Sequence, residues 1–410
     1  MKLINKYIYN IYVAISISII LRLSLINAYG DTTLEYEWGI LFNNFQKSGI
    51  LSYYSTIDGE AIPTVFMPPL YAYFIFFLDA IFPSEIDLVR SILIFQIIIS
   101  AVSILLFYKV ALIFFSKKVS LILTYVLIFF PIYIISCLQI SSISLQFLLN
   151  LLFLYIVLKV IKKSLDYRSF LLLGFVSGLT MLLRGEFILI FIFTLLFLKF
   201  NRKINFKEIF IIITITVLTI SPYLIRNYLN FEKITITKSF GYNLWKGNNL
   251  DSSVEGSDST LAFESFNIRE KLKKIEKNSL YDFNRDNLFL KESIKFINEN
   301  PFLFAERYLK KFLAFTFFNP QSNYPGYHHP LNIFSLAILS LGFLASILFY
   351  KQKNSLAYNY LIFNLFLTIA IFSIFFILPR YKLIILPTQL LISNFIFVKL
   401  FLNRYKKKGV

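Results

Sequence analysis

Apolar runs long enough, or nearly long enough, to cross a hydrocarbon core dominate this chain. They fall at roughly 7–26, 88–112, 119–136, 143–161, 169–183, 187–200, 208–225, 331–350, 356–378 and 383–402. Crossing a core of about 30 Å takes about 20 residues. A water-soluble domain carries about 25% charged residues; here only 16% are charged and 57% are hydrophobic. The 19% aromatic content excludes a disordered chain. The single cysteine, Cys137, excludes an internal disulfide framework and a thiolate metal cluster. These features predict an all-α polytopic membrane protein, a bundle of about ten transmembrane helices.

The formal charge of +18 would suit a nucleic-acid partner if it were spread over one surface. It is instead concentrated at every second junction between apolar runs: Lys2 and Lys6; Lys117 and Lys118; Lys159, Lys162, Lys163 and Arg168; Lys199, Arg202, Lys203 and Lys207; Lys351 and Lys353; and Lys399 with Arg404, Lys406, Lys407 and Lys408. The loops opposite hold only Lys47, Arg90, Arg184, Arg380 and Lys382. Basic residues stay on the cytoplasmic side, so both termini are expected there, and no nucleic acid is expected as partner. The first run lacks a small-residue cleavage site and reads as a retained anchor.

Two apolar segments stand outside this count. Residues 67–83 carry Pro68-Pro69 at their start and Asp79 further on, and residues 301–318 are interrupted by Glu306, Arg307, Lys310 and Lys311. Both are expected as interfacial or juxtamembrane helices on the outer face. The chain then divides into an N-terminal transmembrane module over 1–225, with an acidic outer loop at 27–66; an extracytoplasmic region over 226–330; and a C-terminal transmembrane module with a basic tail over 331–410.

With this topology the unusual polar residues gather on the outer side. The first loop holds Asp31, Glu35, Glu37, Asp58 and Glu60. A tight turn reads Arg184-Gly185-Glu186, the seventh run exits through Arg226-Asn227, and the turn before the last run reads Arg380-Tyr381-Lys382. Arginine grips phosphate oxygens in pairs, and a carboxylate can take a proton from an attacking hydroxyl. Each has a plainer reading: a solvated acidic loop, an Arg184–Glu186 structural pair, or an Arg380 interface anchor. Arg22, near the outer end of the first run, is expected to snorkel outward. The stretch from Gly241 to Asn249, with Tyr242, Asn243, Trp245 and Asn248, offers flat rings and paired amides suited to sugar hydroxyls; its plainer reading is a turn with an interface-anchoring Trp. His328-His329 lacks acidic or cysteine partners nearby, so no metal site is expected.

The order of these features resembles the GT-C-fold integral-membrane glycosyltransferases, and among them the family-39-type bacterial branch that includes protein O-mannosyltransferases and lipid A aminoarabinose transferases. The strings that carry the resemblance are "MPPLYAYF", "GLTMLLRGEF", "SPYLIRNYLNFEKITITKSFGYNLWKGNN" and "LPRYKLIILP". The resemblance implies transfer of a sugar from a polyprenyl-phosphate carrier to a lipid, glycan or protein acceptor at the outer face of a bacterial cytoplasmic membrane. It also implies a first-loop carboxylate as base. Many relatives carry Asp-Glu at a position counted back from a glycine matching Gly49; here that register gives Leu34-Glu35, so the candidates are Glu37, Glu35 and Asp31. The leaving phosphate is expected on Arg380, Lys382, Arg226 and Arg184, with Glu186, Asn227, Tyr242, Asn243, Trp245, Asn248 and Tyr381 around the sugar and acceptor. No cofactor is required; a divalent metal is compatible. An O-antigen-type polymerase or a lipid-linked oligosaccharide flippase is the alternative function.

Overall fold

The computed structural model describes residues 10–34, 36–55, 59–162, 167–255, 266–322, 324, 326–349 and 355–397. The membrane-type helices are α1 (Ile11–Tyr29), then α2 (Tyr36–Ser48) and α3 (Leu70–Ile81) at the loop end, and α4 (Glu85–Ala111). They continue with α5 (Lys117–Ile128), α6 (Pro131–Ser136), α7 (Ile143–Lys162), α8 (Tyr167–Leu183), α9 (Phe187–Phe200) and α10 (Phe206–Phe231). The intervening region gives α11 (Phe240–Gly247), α12 (Phe266–Lys273), α13 (Tyr281–Glu299) and α14 (Pro301–Thr316). The chain returns through α15 (Pro330–Phe349), α16 (Leu356–Ile374) and α17 (Lys382–Phe397). Each expected crossing is met by a helix. Six of them, α1, α4, α7, α10, α15 and α16, are long and apolar enough to cross a membrane by themselves.

Three departures from the sequence pattern have local causes. The run expected at 119–136 is broken in two, because Pro131 drives Phe130 into an extended conformation. The run expected to end near 225 continues through Pro222 to Phe231. Pro222 cannot donate to the Leu218 carbonyl, and the Ser221 hydroxyl donates to that carbonyl instead, at 3.0 Å. The run expected over 356–378 stops at Ile374; Phe375 is extended and Ile377 pairs with Glu255 in a parallel bridge. The first loop also carries a small antiparallel hairpin, β1 (Ser52–Ser55) with β2 (Ala61–Pro63), the one sheet among the described residues.

Helix α3 has 12 residues, about 18 Å at 1.5 Å per residue, too short to cross. It buries Tyr71, Ala72, Ile75 and Leu78 and leaves Tyr73, Phe77 and Ile81 exposed, as a juxtamembrane helix would. On α14 the exposed Glu306 and Lys310 pair at 2.6 Å, while Lys311 is fully buried.

Close helix contact needs small residues, because lipid tails are as apolar as leucine. Gly174 and Gly178 supply them on α8. A Cβ on Gly174 would lie 2.6 Å from the Ile212 carbonyl oxygen, and one on Gly178 would lie 2.6 Å from the Thr219 Cβ. Arg22 departs from expectation. It is fully buried rather than snorkelling outward, with Nε on the Cys137 sulfur at 3.2 Å, Nη1 on the Ser18 hydroxyl at 2.6 Å and the guanidinium 4.8 Å from the Tyr133 ring. Polar partners on the broken α5–α6 segment draw it inward, as a charge within a bundle requires.

Leucine at Gly178 is expected to lower stability by about 1–3 kcal/mol through overpacking, read as a lower melting temperature in detergent, whereas leucine at exposed Phe175 should change it little. Lys311→Met would strand the carbonyls of Gly247 and Phe375, both 3.1 Å from its Nζ. Leaving those buried carbonyls unpaired is expected to cost about 1–3 kcal/mol each and to appear as faster proteolysis of the 226–330 region.

Candidate active site

Polar turns from several parts of the chain meet around one cleft, whereas the lysine-bearing end of α7 meets the turn after α4, where Lys162 donates to the Ile113 carbonyl. At the loop end a cleft of about 240 Å³ opens. Its sides come from the first loop (Glu37, Trp38, Tyr53, Phe66) and its floor from turns between transmembrane helices (Ser141, Ser142, Arg184, Arg380, Tyr381). Its roof comes from the region after α10 (Tyr242, Asn243, Lys246, Arg285).

Each wall is fixed by hydrogen bonds that the sequence places at chain breaks. Asp31 N–H donates to the Leu138 carbonyl at 3.0 Å, and the Asp31 carboxylate accepts from Ile140 N–H at 2.6 Å. Gln96 donates to the carbonyls of Cys137 and Gln139 at 3.1 and 2.9 Å and accepts from the Tyr71 hydroxyl at 2.9 Å. Tyr71 in turn packs edge-on against Trp38, with ring centres 4.7 Å apart. This chain of contacts sets the 137–142 segment beside α2, which carries Glu37 in its first turn. Arg184 donates from Nε to Gln146 at 3.2 Å and lies 4.9 Å over the Tyr381 ring. Arg380 projects from the tight turn Pro379–Tyr381.

The roof is tied down by two aspartates of α13. Asp282 accepts from the Thr64 hydroxyl at 2.6 Å and Val65 N–H at 2.8 Å; Asp286 accepts from Tyr242 N–H at 3.0 Å. Burial raises both carboxyls above the usual range. Gly241 lets α11 lie against α13, since a Cβ there would sit 2.2 Å from the Asp286 carbonyl oxygen. Burial, then the nearby Glu37 carboxylate, raises the Tyr53 hydroxyl.

The predicted residues separate into two groups. Glu37, Arg184, Arg380, Tyr242, Asn243 and Tyr381 line the cleft. The others stand outside its lining. Lys382 is buried with its ammonium on the carbonyls of Ala314, Phe315 and Phe317. Arg226 donates to the carbonyls of Thr64 and Leu51 at 2.9 and 3.3 Å and to the Asn227 amide oxygen at 2.8 Å. Asn227 donates to the Thr235 carbonyl at 2.6 Å. Asn248 donates to the carbonyls of Leu244 and Ile374, both at 2.8 Å. Trp245 is buried against Phe289, with ring centres 5.0 Å apart. Glu186 acts on Arg184 through its charge. Asp31 holds the 138–140 backbone, and Glu35 lies outside the described residues.

Sequence reasoning did not single out Tyr53, Ser141, Ser142 or Arg285, and passed over Lys246 inside its own aromatic–amide motif. Arg285 had one available signal: aspartates three residues before and one after it would absorb neighbouring backbone donors and leave the arginine for the cleft. Glu37 is then the one carboxylate among the cleft-lining described residues, facing Arg184, Lys246, Arg285 and Arg380. Such a surplus of positive charge suits an anionic ligand. Among the described residues no group of three or more His, Cys, Asp and Glu could hold a metal ion. His328 bonds the Ser322 carbonyl at 2.6 Å.

Residues 67–225 match the family described as dolichyl-phosphate-mannose-protein mannosyltransferase. No curated protein matches the chain. Among solved structures, the archaeal oligosaccharyltransferase AglB from Archaeoglobus fulgidus, in complex with an inhibitory peptide and a dolichol-phosphate, superposes with a TM-score of 0.54 and 14% identity over 98% of this chain. The apo form of the Archaeoglobus fulgidus oligosaccharyltransferase gives 0.52, with the same identity and coverage. The chain spans 52% of the length of either. ArnT from Cupriavidus metallidurans bound to undecaprenyl phosphate superposes at 0.44, with 10% identity over 92% of this chain and 76% of its own. The chain is a polytopic membrane protein with the GT-C glycosyltransferase fold, and its residues 67–225 carry the sequence pattern of the dolichyl-phosphate-mannose-protein mannosyltransferase family.

Proposed function

We propose that this protein is a membrane glycosyltransferase that moves a sugar from a polyprenyl-phosphate carrier to a hydroxyl-bearing lipid, glycan or protein acceptor. The observation that carries the reading is a cleft at the loop end of the bundle where Glu37 faces Arg184 and Arg380. The family matched over residues 67–225 is named for a dolichyl-phosphate sugar, and the solved oligosaccharyltransferase holds a dolichol-phosphate and a peptide. The sidedness of the lysine-rich junctions supports a bacterial cytoplasmic membrane protein with both termini inside and the cleft outside.

In the proposed reaction the acceptor oxygen attacks the anomeric carbon from the face opposite the phosphate, with inversion. The acceptor proton passes to the Glu37 carboxylate as the new carbon–oxygen bond forms. The bond between the anomeric carbon and the phosphate oxygen breaks, and its electron pair leaves with the polyprenyl phosphate. Arg380 has no hydrogen-bond acceptor among the described residues, so its donors are open to the departing oxygens. Arg184, 4.9 Å from the Tyr381 ring centre, offers a second guanidinium. Positive groups aimed at charge that develops only in the transition state stabilise that state most. Under this proposal the arginines do the work a divalent metal would do.

The test is release of free polyprenyl phosphate by protein in nanodiscs, given a panel of polyprenyl-phosphate sugars and candidate acceptors. Arg380→Ala is expected to lower turnover about 10²–10³-fold, and Glu37→Gln about 10²–10⁴-fold, with both proteins folded. Full turnover by Glu37→Gln would move the base to Glu35 or Asp31. No release from any donor would overturn the transferase reading.

A further inference from the structure

Arg285 is the cleft residue that the proposed reaction leaves unused. Its guanidinium is half-buried and ringed by aromatic side chains, 4.6 Å from the ring centre of Tyr242, 4.7 Å from Phe66, 5.1 Å from Phe289 and 5.8 Å from Tyr54. None of its nitrogens has a hydrogen-bond acceptor or an ion-pair partner within 4 Å among the described residues. The two aspartates beside it in sequence act on it through their charge but take their hydrogen bonds elsewhere, Asp282 from Thr64 and Val65, Asp286 from the Tyr242 N–H. Rings on several sides fix the guanidinium plane, so its N–H edge is presented to the cleft already oriented.

Its location separates it from the floor arginines. Arg184 and Arg380 rise from turns between transmembrane helices, whereas Arg285 descends from α13 in the roof. Glu37 acts through its charge on Arg184 and on Tyr53, and Arg285 also acts on Tyr53. The Glu37 carboxylate thus shares the cleft with cations from two regions of the chain, the turns between transmembrane helices and α13. In the proposed reaction the departing polyprenyl phosphate is met by Arg184 and Arg380, and Arg285 is left without a ligand.

We propose that Arg285 forms a second anion subsite, separate from the carrier phosphate, which receives an acidic group on one of the two substrates. The group is a carboxylate or phosphate on the transferred sugar or on the acceptor. The proposal rests on the transferase reading for what the ligands are, and on the Arg285 environment for the subsite itself. Lys246, on the neighbouring α11 and 3.9 Å from the Phe376 ring, adds positive charge to the same roof.

Phenylglyoxal labelling of cleft arginines, read by peptide mass spectrometry on protein in nanodiscs, tests the subsite without turnover. Undecaprenyl phosphate is expected to slow labelling of Arg184 and Arg380 and to spare Arg285. Added glucuronic acid or glucose 6-phosphate, but not glucose, is then expected to slow Arg285 labelling about tenfold, the size of one charged hydrogen bond. Equal protection of Arg285 by undecaprenyl phosphate, or no protection by either acidic sugar, overturns the proposal. If undecaprenyl phosphate protects no arginine while glucuronic acid protects Arg285, the transferase reading falls and the anion subsite stands.

Turnover by Arg285→Gln then identifies the source of the charge. A loss of about tenfold in kcat/KM confined to uronic-acid donors assigns the acidic group to the sugar; one confined to phosphorylated acceptors assigns it to the acceptor. Equal loss with wholly neutral pairs overturns the proposal. Arg285→Lys, which keeps the charge, is expected to recover part of the acid-specific rate, and a merely structural arginine would show no such selectivity.

Discussion

Where a transmembrane helix stops, its last carbonyls lose their partners, and at a membrane boundary water does not reliably replace them. The architecture of the loop end follows from that constraint. Helix α16 stops at Ile374 so that residues 375–378 can line the cleft, and the carbonyls it frees are met by Lys311 and Asn248. Lys382 does the same for the end of α14 through Ala314, Phe315 and Phe317. Arg226 holds the carbonyls of Leu51 and Thr64, and Asn227 holds that of Thr235. Hydrogen bonds from charged donors contribute about 1.5–3 kcal/mol each, and a buried cation left without acceptors costs more. These residues therefore weld irregular backbone to the bundle, and the cleft depends on that backbone being still.

The same constraint explains which parts of the molecule were legible in the sequence. Helix positions were, because the apolar runs are long and lysines mark every second junction. The break at Pro131, the continuation through Pro222 and the early stop at Ile374 were less so. The break follows from proline acting on Phe130, whereas the other two turn on a side chain meeting a backbone group, Ser221 for Leu218 within the helix and Lys311 for Phe375 from a distant one. Arg22 illustrates the limit: its preference for Cys137 and Tyr133 over water depends on a neighbouring segment whose position no local pattern reveals.

The candidate site was legible as a region and only partly as residues. Gathering Glu37, Arg184, Arg380, Tyr242 and Tyr381 at one membrane interface required only correct topology, and the cleft contains all five. Arginines and asparagines in the same loops look alike on paper whether they face a ligand or a carbonyl. Arg226, Lys382, Asn227 and Asn248 are polar and stand in the end turns of helices or just past them, yet their donors are taken largely by backbone. Arg285 carries no better local signature, but Asp282 and Asp286 take the nearby donors and the rings of Tyr242 and Phe66 hold its plane.

A division of labour among the basic side chains results. Cations aimed at peptide carbonyls are fixed by convergent hydrogen bonds, Lys311 and Lys382 buried and Arg226 half-buried; cations of the cleft lie against aromatic rings, Tyr381 for Arg184 and Tyr242 with Phe66 for Arg285. An aromatic face attracts the guanidinium without occupying its in-plane N–H donors. It therefore orients a charge while leaving in-plane donors for a ligand, although Arg184 gives its Nε to Gln146. With Glu37 as the lone carboxylate lining the cleft among the described residues, the lining carries more positive than negative side chains and suits an anion. The stability of the loop end and the affinity of the cleft thus draw on one residue type, separated by what stands behind each side chain.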